Sequence, residues 1–260
     1  MKYDTLIYSE DRHIASVRFN RPEVRNALND QLLDEFEEIL IQIEGKTDIK
    51  VVVLEGHSDF FCAGADIRML KSWRSVLDAH SFLEKIQRVV NKLETIPQPV
   101  IAAVSGMALG GGTEISLACN IRIAAENAVF GQTEINLGII PGAGGTQRLP
   151  RTVGLTIANE LLFTGRRVRS AEALQIGLVN RVVPVGELNG EAFELALEMA
   201  KKPIWAVRMT KACLRDGLQM NLSQALNYEG KCFEFLVSTE DFREGIAAFL
   251  EKREPCFPGT

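Results

Sequence analysis

The sequence predicts an α/β fold followed by a helical C-terminal region. Three observations carry that prediction. Short runs rich in β-branched residues alternate with helix-period segments up to about residue 185. From Glu187 onward the periodicity is helical only. Between them, VIAAVSGMALGGGTEISLAC switches from a strand pattern to a helix pattern at Gly110, Gly111 and Gly112. Such alternation is what a sheet covered by helices requires. With 260 residues, 46% hydrophobic and 24% charged, the chain can bury a core without staples, as one large domain or a domain with an appendage.

Each element has a local cause. Residues 5–8 and 14–19 predict two short strands, parted by the polar turn Ser9-Glu10-Asp11-Arg12, and residues 20–23 form a turn cluster. Asn29 or Asp30 can cap a helix whose apolar positions are Leu32, Leu33, Phe36, Ile39, Leu40 and Ile43, closed by Gly45. Residues 51–54 predict a buried strand, and the loop GHSDFFCAGAD follows. A longer helix is predicted over 76–93, burying Ala79, Phe82, Leu83, Ile86, Val89, Val90 and Leu93, and Pro97 and Pro99 stop it. Residues 100–104 predict the next strand, and the glycines open a helix through Leu117. Strand patterns recur at 121–124 and 129–130. The Gly-rich loop IIPGAGGTQRLP then leads to a helix over 156–163. Ser170 can cap a short helix ending at Gly177, and 178–183 reads as the last strand. Beyond it, Pro203 and Gly217 punctuate the helices, and Asn221 and Thr239 or Ser238 offer caps. The amphipathic GIAAFLEK near the end predicts a helix docked on the core or on a neighbouring subunit.

Composition excludes several function classes. A net charge of -5 disfavours a nucleic-acid surface and an anionic membrane. Five cysteines without C-x-x-C indicate neither a disulfide framework nor a zinc ribbon, and fit a reducing compartment. The charged start lacks the apolar core of a signal peptide, and no apolar run approaches spanning length, so a cytoplasmic protein is expected. His13, His57 and His80 form no H-E-x-x-H, and neither G-x-S-x-G nor a P-loop occurs. No metal site is expected. GAGGTQR resembles a phosphate loop in composition only, and a tight turn before a helix explains it equally well.

Four places remain that could carry chemistry. Ala63-Gly64-Ala65-Asp66 follows a strand, and its small residues leave backbone amides open to a bound oxygen; taken alone, a plain turn explains it. The three glycines at a helix start cost roughly 1 kcal/mol each relative to Ala in a helix interior, which suggests a backbone requirement. That requirement is either close packing or a free amide at the positive end of a helix dipole. Glu114, in the first turn of that helix, is either a dipole-stabilising acid or a general base. Glu134 alone would read as an exposed loop acid. Among the cations, Arg21, Arg25, Arg68 and Lys252 could meet phosphates. Cys62, Trp73 and Trp205 read as packing residues.

Taken in order, the motifs carry a resemblance over nearly the whole chain. They are NRP at 20–22, NAL at 26–28, FFCAGADIRML, IAAVSGMALGGGTEISLACNIRIAAENAVFGQTEINLGIIPGAGGTQRLPR, LLFTGRRVRSAEALQIGLVNRVVP and EGIAAFLEKR. The chain resembles the enoyl-CoA hydratase/isomerase, or crotonase, family, and within it the hydratases most. The resemblance implies a ClpP-like spiral of ββα units. Residues 1–195 would form the core with the active site, and 196–260 a helical region for trimerisation, with two trimers stacking into a hexamer. The ligand would be an acyl-CoA thioester and no separate cofactor is expected.

The resemblance also assigns residues. The amides of Ala65 and Gly111 would hold the thioester carbonyl oxygen. Glu114 and Glu134, which stand 20 positions apart, would be the catalytic pair. Arg25, Ala27, Leu28, Ala63, Ala65, Asp66, Ile67, Arg68, Gly111, Pro141, Gly142 and Lys252 would lie along the acyl-CoA. The implied reaction is reversible addition of water to a 2-trans-enoyl-CoA, in fatty-acid or branched acyl-CoA degradation by β-oxidation. A helix N-terminus is expected to favour Glu114 as carboxylate, and apolar surroundings to favour neutral Glu134. The alternatives are a Δ3,Δ2-enoyl-CoA isomerase and a non-catalytic CoA- or RNA-binding scaffold. The family pattern is departed from at His57-Ser58-Asp59, where relatives carry Gly plus a basic residue, and at Asn120, often Asp. Met107 is large enough to shape an acyl pocket.

Overall fold

Alternating side chains on one six-stranded sheet decide where the other elements pack. The computed structural model describes residues 3–260. It opens with a hairpin of β1 (Leu6–Asp11) and β2 (Ile14–Phe19), in which Asp11 pairs with Ile14. The turn is therefore Arg12-His13, at φ 45° and 68°, shorter than the four-residue turn expected from residue 9. Two left-handed residues match the twist of the flanking strands. Helix α1 (Asp30–Glu44) follows, and Asn29 caps it by accepting from the Leu32 amide at 3.0 Å. All six of its expected apolar positions are buried.

From β3 (Val51–Glu55) the chain repeats two strands and a helical segment. The first repeat adds β4 (Phe60–Cys62), α2 (Ile67–Ser72) and α3 (Val76–Thr95). The second is β5 (Val100–Val104), β6 (Met107–Leu109) and α4 (Gly111–Ala118). The third is β7 (Ile121–Ala125), β8 (Val129–Gly131), a 3₁₀ turn (Glu134–Leu137), α5 (Gly145–Val153) and α6 (Leu155–Thr164). Next come β9 (Val168–Arg169), α7 (Ser170–Gln175) and β10 (Arg181–Val183). First strands join a large sheet of order β1-β2-β3-β5-β7-β10, and second strands a small sheet of order β4-β6-β8-β9. Within the repeats the neighbouring strands are parallel. The chain thus winds as a spiral of ββα units, as the resemblance implies.

Several elements lie where only loops are expected. β4, β6 and β9 have three residues or fewer and show no period. α5 begins at glycines and contains Pro150, so its sequence carries turn signals. β10 starts at Arg181, later than the expected 178, because buried Leu178 and Val179 precede the ladder.

The central strands β3 and β5 of the large sheet are buried on both faces, which is why they are continuous apolar runs. Val52, Leu54, Val100, Ala102 and Val104 join one core with the apolar faces of α1 and α3. Val51, Val53, Ile101, Ala103, Ile123 and Ala125 join another beneath α8 (Leu188–Ala200). Leu188, Ala192, Ala196 and Ala200 recur at helical spacing, and the alanines let α8 lie close to the strands. The expected division at residue 195 falls inside α8. Then come α9 (Ile204–Gly217), α10 (Leu222–Leu236), capped by Asn221, and α11 (Glu240–Glu251), capped by Thr239. Leu218, Leu222, Phe233, Phe249 and Leu250 stay exposed there. Among the described residues no helix is long and apolar enough to cross a membrane.

Candidate active site

The start of α4 is squeezed between two other segments. Gly110 precedes it at φ 51°, ψ -122°, a conformation open mainly to glycine. A Cβ on Gly112 would stand 2.2 Å from the Cys62 carbonyl oxygen. Close packing therefore explains the glycine run, and it has a second consequence. It brings Gly111 beside Gly64 and Ala65: a Cβ on Gly64 would lie 3.6 Å from the Gly111 nitrogen. Around them, Ala63, Asp66 and Gly110 donate to the carbonyls of Arg25, Leu28 and Gly131 at 3.0, 2.9 and 2.8 Å. The amides of Ala65 and Gly111 find no acceptor among the described residues. Two free N–H donors thus sit together at a helix start, an arrangement suited to negative charge on an oxygen.

Both amides open on a cavity of about 750 Å³, which Glu114 and Glu134 also line. Glu114 Oε1 accepts from the amides of Ala143 and Gly145 at 2.8 and 2.7 Å, at the N-terminus of α5. The phosphate-loop composition of GAGGTQR is thereby explained: its amides cradle a carboxylate of the same chain. Burial pushes the Glu114 carboxyl above the ordinary range, and the amides of Gly145 and Ala143 and the charge of Arg148 oppose it. The amides of a helix N-terminus do favour the Glu114 carboxylate, but the net direction set by burial is upward. The terminus that contacts it belongs to α5, and burial outweighs it.

Glu134 opens the 3₁₀ turn after β8. Burial, and then the charge of Glu114, push its carboxyl up to about 7. Buried Gln132, with its amide nitrogen facing the acid, donates to Glu134 Oε1 and Oε2 at 3.2 and 3.3 Å. At neutral pH the cavity can therefore hold one proton between two carboxyls, beside two free amides.

The remaining cavity wall is mainly apolar, with Leu70, Trp73, Phe82, Leu83, Ile86 and Ile140. Trp73 both lines the cavity and packs on Phe82, ring centroids 5.7 Å apart, so packing alone does not describe it. Met107 does not line the cavity; it stands in β6 between Phe60 and Val129. Cys62 is fully buried and its thiol is pushed up to about 12 by desolvation, which fits a packing residue.

Of the sequence-derived binding residues, Ala63, Ala65, Ile67, Gly111, Pro141 and Gly142 line the cavity. Arg25, Ala27, Leu28, Asp66, Arg68 and Lys252 do not. Ala27 and Leu28 are buried behind it, and Leu28 Cδ1 would lie 2.7 Å from a Cβ on Gly111. Asp66 caps α2 by accepting from the Arg68 amide and pairs with Arg21 at 3.5 Å. Arg25 and Arg68 are exposed near the loop, and Lys252 ends α11 at φ 57°. Sequence reasoning passed over Ala143, Gly145, Gln132 and Arg148. The glycines of GAGG are the signal that could have found Ala143 and Gly145.

Fold and cavity define the class first: a ββα spiral in which a buried acid, a half-buried acid and two free amides share one mainly apolar cavity. The family model described as enoyl-CoA hydratase/isomerase matches residues 9–260. A short-chain-enoyl-CoA hydratase of Clostridium acetobutylicum is 41% identical, over 98% of this chain and 97% of the relative. A crotonyl-CoA hydratase of Syntrophomonas wolfei is 41% identical, over 99% of both. The crystal structure of an enoyl-CoA hydratase from Bacillus anthracis superimposes with a TM-score of 0.96 at 42% identity, covering 99% of this chain and 100% of that one. The chain belongs to the enoyl-CoA hydratase/isomerase family.

Proposed function

We propose that this protein is an enoyl-CoA hydratase, a hydro-lyase that adds water reversibly to 2-trans-enoyl-CoA thioesters. The observation that carries the reading is the meeting of Glu114, Glu134 and the free amides of Ala65 and Gly111 in one cavity. Attack at Cβ moves negative charge onto the thioester oxygen. Two preorganised amides stabilise that enolate by about 3–4 kcal/mol per donor. Ionised Glu114 takes a proton from water as the hydroxyl oxygen bonds to Cβ, and protonated Glu134 delivers its proton to Cα. One proton enters the pair and one leaves it, so its total charge is unchanged.

The apolar wall suits the acyl chain. Ala63, Ala65, Ile67, Gly111, Pro141 and Gly142 would contact the acyl-thioester end, and Arg25, Ala27, Leu28, Asp66, Arg68 and Lys252 the path of the CoA outside the cavity. The substrate brings its own coenzyme A, and the acid–base chemistry calls for no further cofactor. Exposed Leu218, Leu222, Phe233, Phe249 and Leu250 support a trimer or a dimer of trimers assembled through the C-terminal region, residues 196–260. A cytoplasmic location and a role in β-oxidation agree with the reduced cysteines and the substrate class.

The test is hydration of crotonyl-CoA, followed by loss of enoyl-thioester absorbance. Glu114→Gln and Glu134→Gln are each expected to lower kcat by about 10²–10⁴-fold with little change in KM. Near-wild-type turnover in both variants would remove the mechanism.

A further inference from the structure

Arg148 lies in α5, one turn beyond the amides that hold Glu114. Its guanidinium makes contacts in three directions. Nη1 donates to the Ala143 carbonyl at 2.9 Å. Nε and Nη2 form a fork on Glu94 Oε2 at 3.0 and 2.6 Å, and Nη2 also donates to Asn91 at 2.8 Å. Glu94 and Asn91 belong to α3. The side chain crosses Gly144, where a Cβ would stand 2.1 Å from Nη1. Arg148 is absent from the wall of the carboxylate cavity. It lines a separate cleft behind residues 143–144, so it does not face the reacting atoms.

We propose that Arg148 is a positioning residue for the reaction: it clamps the 143–145 loop to α3 and thereby sets where the Glu114 carboxylate points. The inference rests on the hydratase reading. The amide of Ala143 is one of the two donors to Glu114, and its carbonyl is the group Arg148 grips. The gripped carbonyl and the donating N–H flank the same Cα, so a shift of residue 143 displaces a donor of the general base. A misplacement of about 1 Å costs on the order of 10²-fold in rate. The cation also opposes the upward push of burial on Glu114. The other charges around this network are Glu134, facing Glu114, Lys211 and Arg215 of α9, facing Glu94, and Arg151, which lines the same cleft as Arg148.

Arg148→Gln removes both fork and charge, and Arg148→Lys keeps only the charge. Both are compared with wild type in crotonyl-CoA hydration across pH. Arg148→Gln is expected to lower kcat by about 10–100-fold with KM nearly unchanged, and to move the acid limb of the profile to higher pH. Arg148→Lys is expected to return the acid limb to its wild-type place while kcat stays depressed. A depressed kcat in Arg148→Gln with an unmoved acid limb makes the residue merely structural and overturns the proposal, as does an unchanged kcat. Should Arg148→Gln fail to fold, wild-type kcat in Arg148→Lys overturns it.

A second measurement is independent of turnover. The Glu114 carboxyl is followed by ¹³C NMR in glutamate-labelled protein, assigned with Glu114→Gln. Its titration midpoint is expected to rise in Arg148→Gln. Should wild type hydrate no enoyl-CoA, the hydratase reading fails by itself, and an unmoved midpoint overturns the role of Arg148 separately.

Discussion

Glu114 and Glu134 are the same side chain in different surroundings, and the difference sets the behaviour of the site with pH. Glu114 is almost wholly buried but receives two amide hydrogen bonds, whereas Glu134 is pushed up to about 7 by burial and by its neighbour's charge. Hydration needs Glu134 protonated and Glu114 ionised. The hydration rate kcat/KM is therefore expected to fall as pH rises through about 7, and to fall again on the acid side as Glu114 gains a proton. Because the two carboxyls interact, the limbs belong to the pair. A pH–rate profile flat across this range would contradict the assignment. Stability has a matching sign. The folded-state value of Glu134 lies above the unfolded one, so the stability it contributes is complete below the ordinary carboxylate range and lost as pH rises through about 7. Glu134→Gln is expected to melt higher than wild type at about pH 8, and the gap should close in acid. Thermal melts at the two pH values check it. Neither acid is legible alone. A lone Glu in a helix's first turn or after a strand is an ordinary residue, and only the packing of α4, β8 and α5 makes the two neighbours.

At the scale of elements, local period and cap predict well wherever one element buries one face. α1 shows Asn29, its apolar stripe and Gly45 in the sequence, and all are used. α3 is instructive. Val89, Val90 and Leu93 are buried in the core as expected, buried Phe82 and Ile86 meet both core and cavity, and half-buried Ala79 and Leu83 face the cavity. An apolar position does not say which apolar neighbour it will meet. The small sheet escapes sequence reading because strands of two or three residues carry no period; their partners, brought in from distant repeats, define them. The start of α4 depends on the same small sheet, since Gly112 backs directly onto Cys62 of β4. Gly112→Ala forces two backbones apart, and a loss of roughly 1–3 kcal/mol is expected. In a chain of this size that corresponds to a melting temperature lower by about 2–4 °C per kcal/mol. Activity should fall as well, because the Gly111 amide moves with its neighbour. Unchanged melting together with unchanged kcat would show that the contact relaxes.

For the whole molecule, the C-terminal helices carry several strongly exposed apolar residues, as do the start of α3 and the segments around Ile140, Leu155 and Phe163. Leu218 and Phe249 are each 82% exposed, and Leu222 and Leu250 each 74%. Isolated surface leucines need no explanation, whereas a group of this kind fits the proposed assembly through the C-terminal region. Replacing Phe233 and Phe249 by Glu is expected to shift the protein to a smaller species in light scattering, with the fold retained by circular dichroism. An unchanged mass would contradict assembly through these helices. The sequence by itself determined the α/β alternation, the helical C-terminal region, the order of the main strands and the family resemblance, because hydrophobic period, caps and motifs are local properties of the chain. Only the tertiary structure decided that the glycine run is squeezed against Cys62, that the GAGG amides hold Glu114, that Met107 stands away from the cavity and that Arg148 ties α5 to α3. Each of those depends on a distance between segments far apart in sequence, and such distances exist only once the ββα units have wound onto one another.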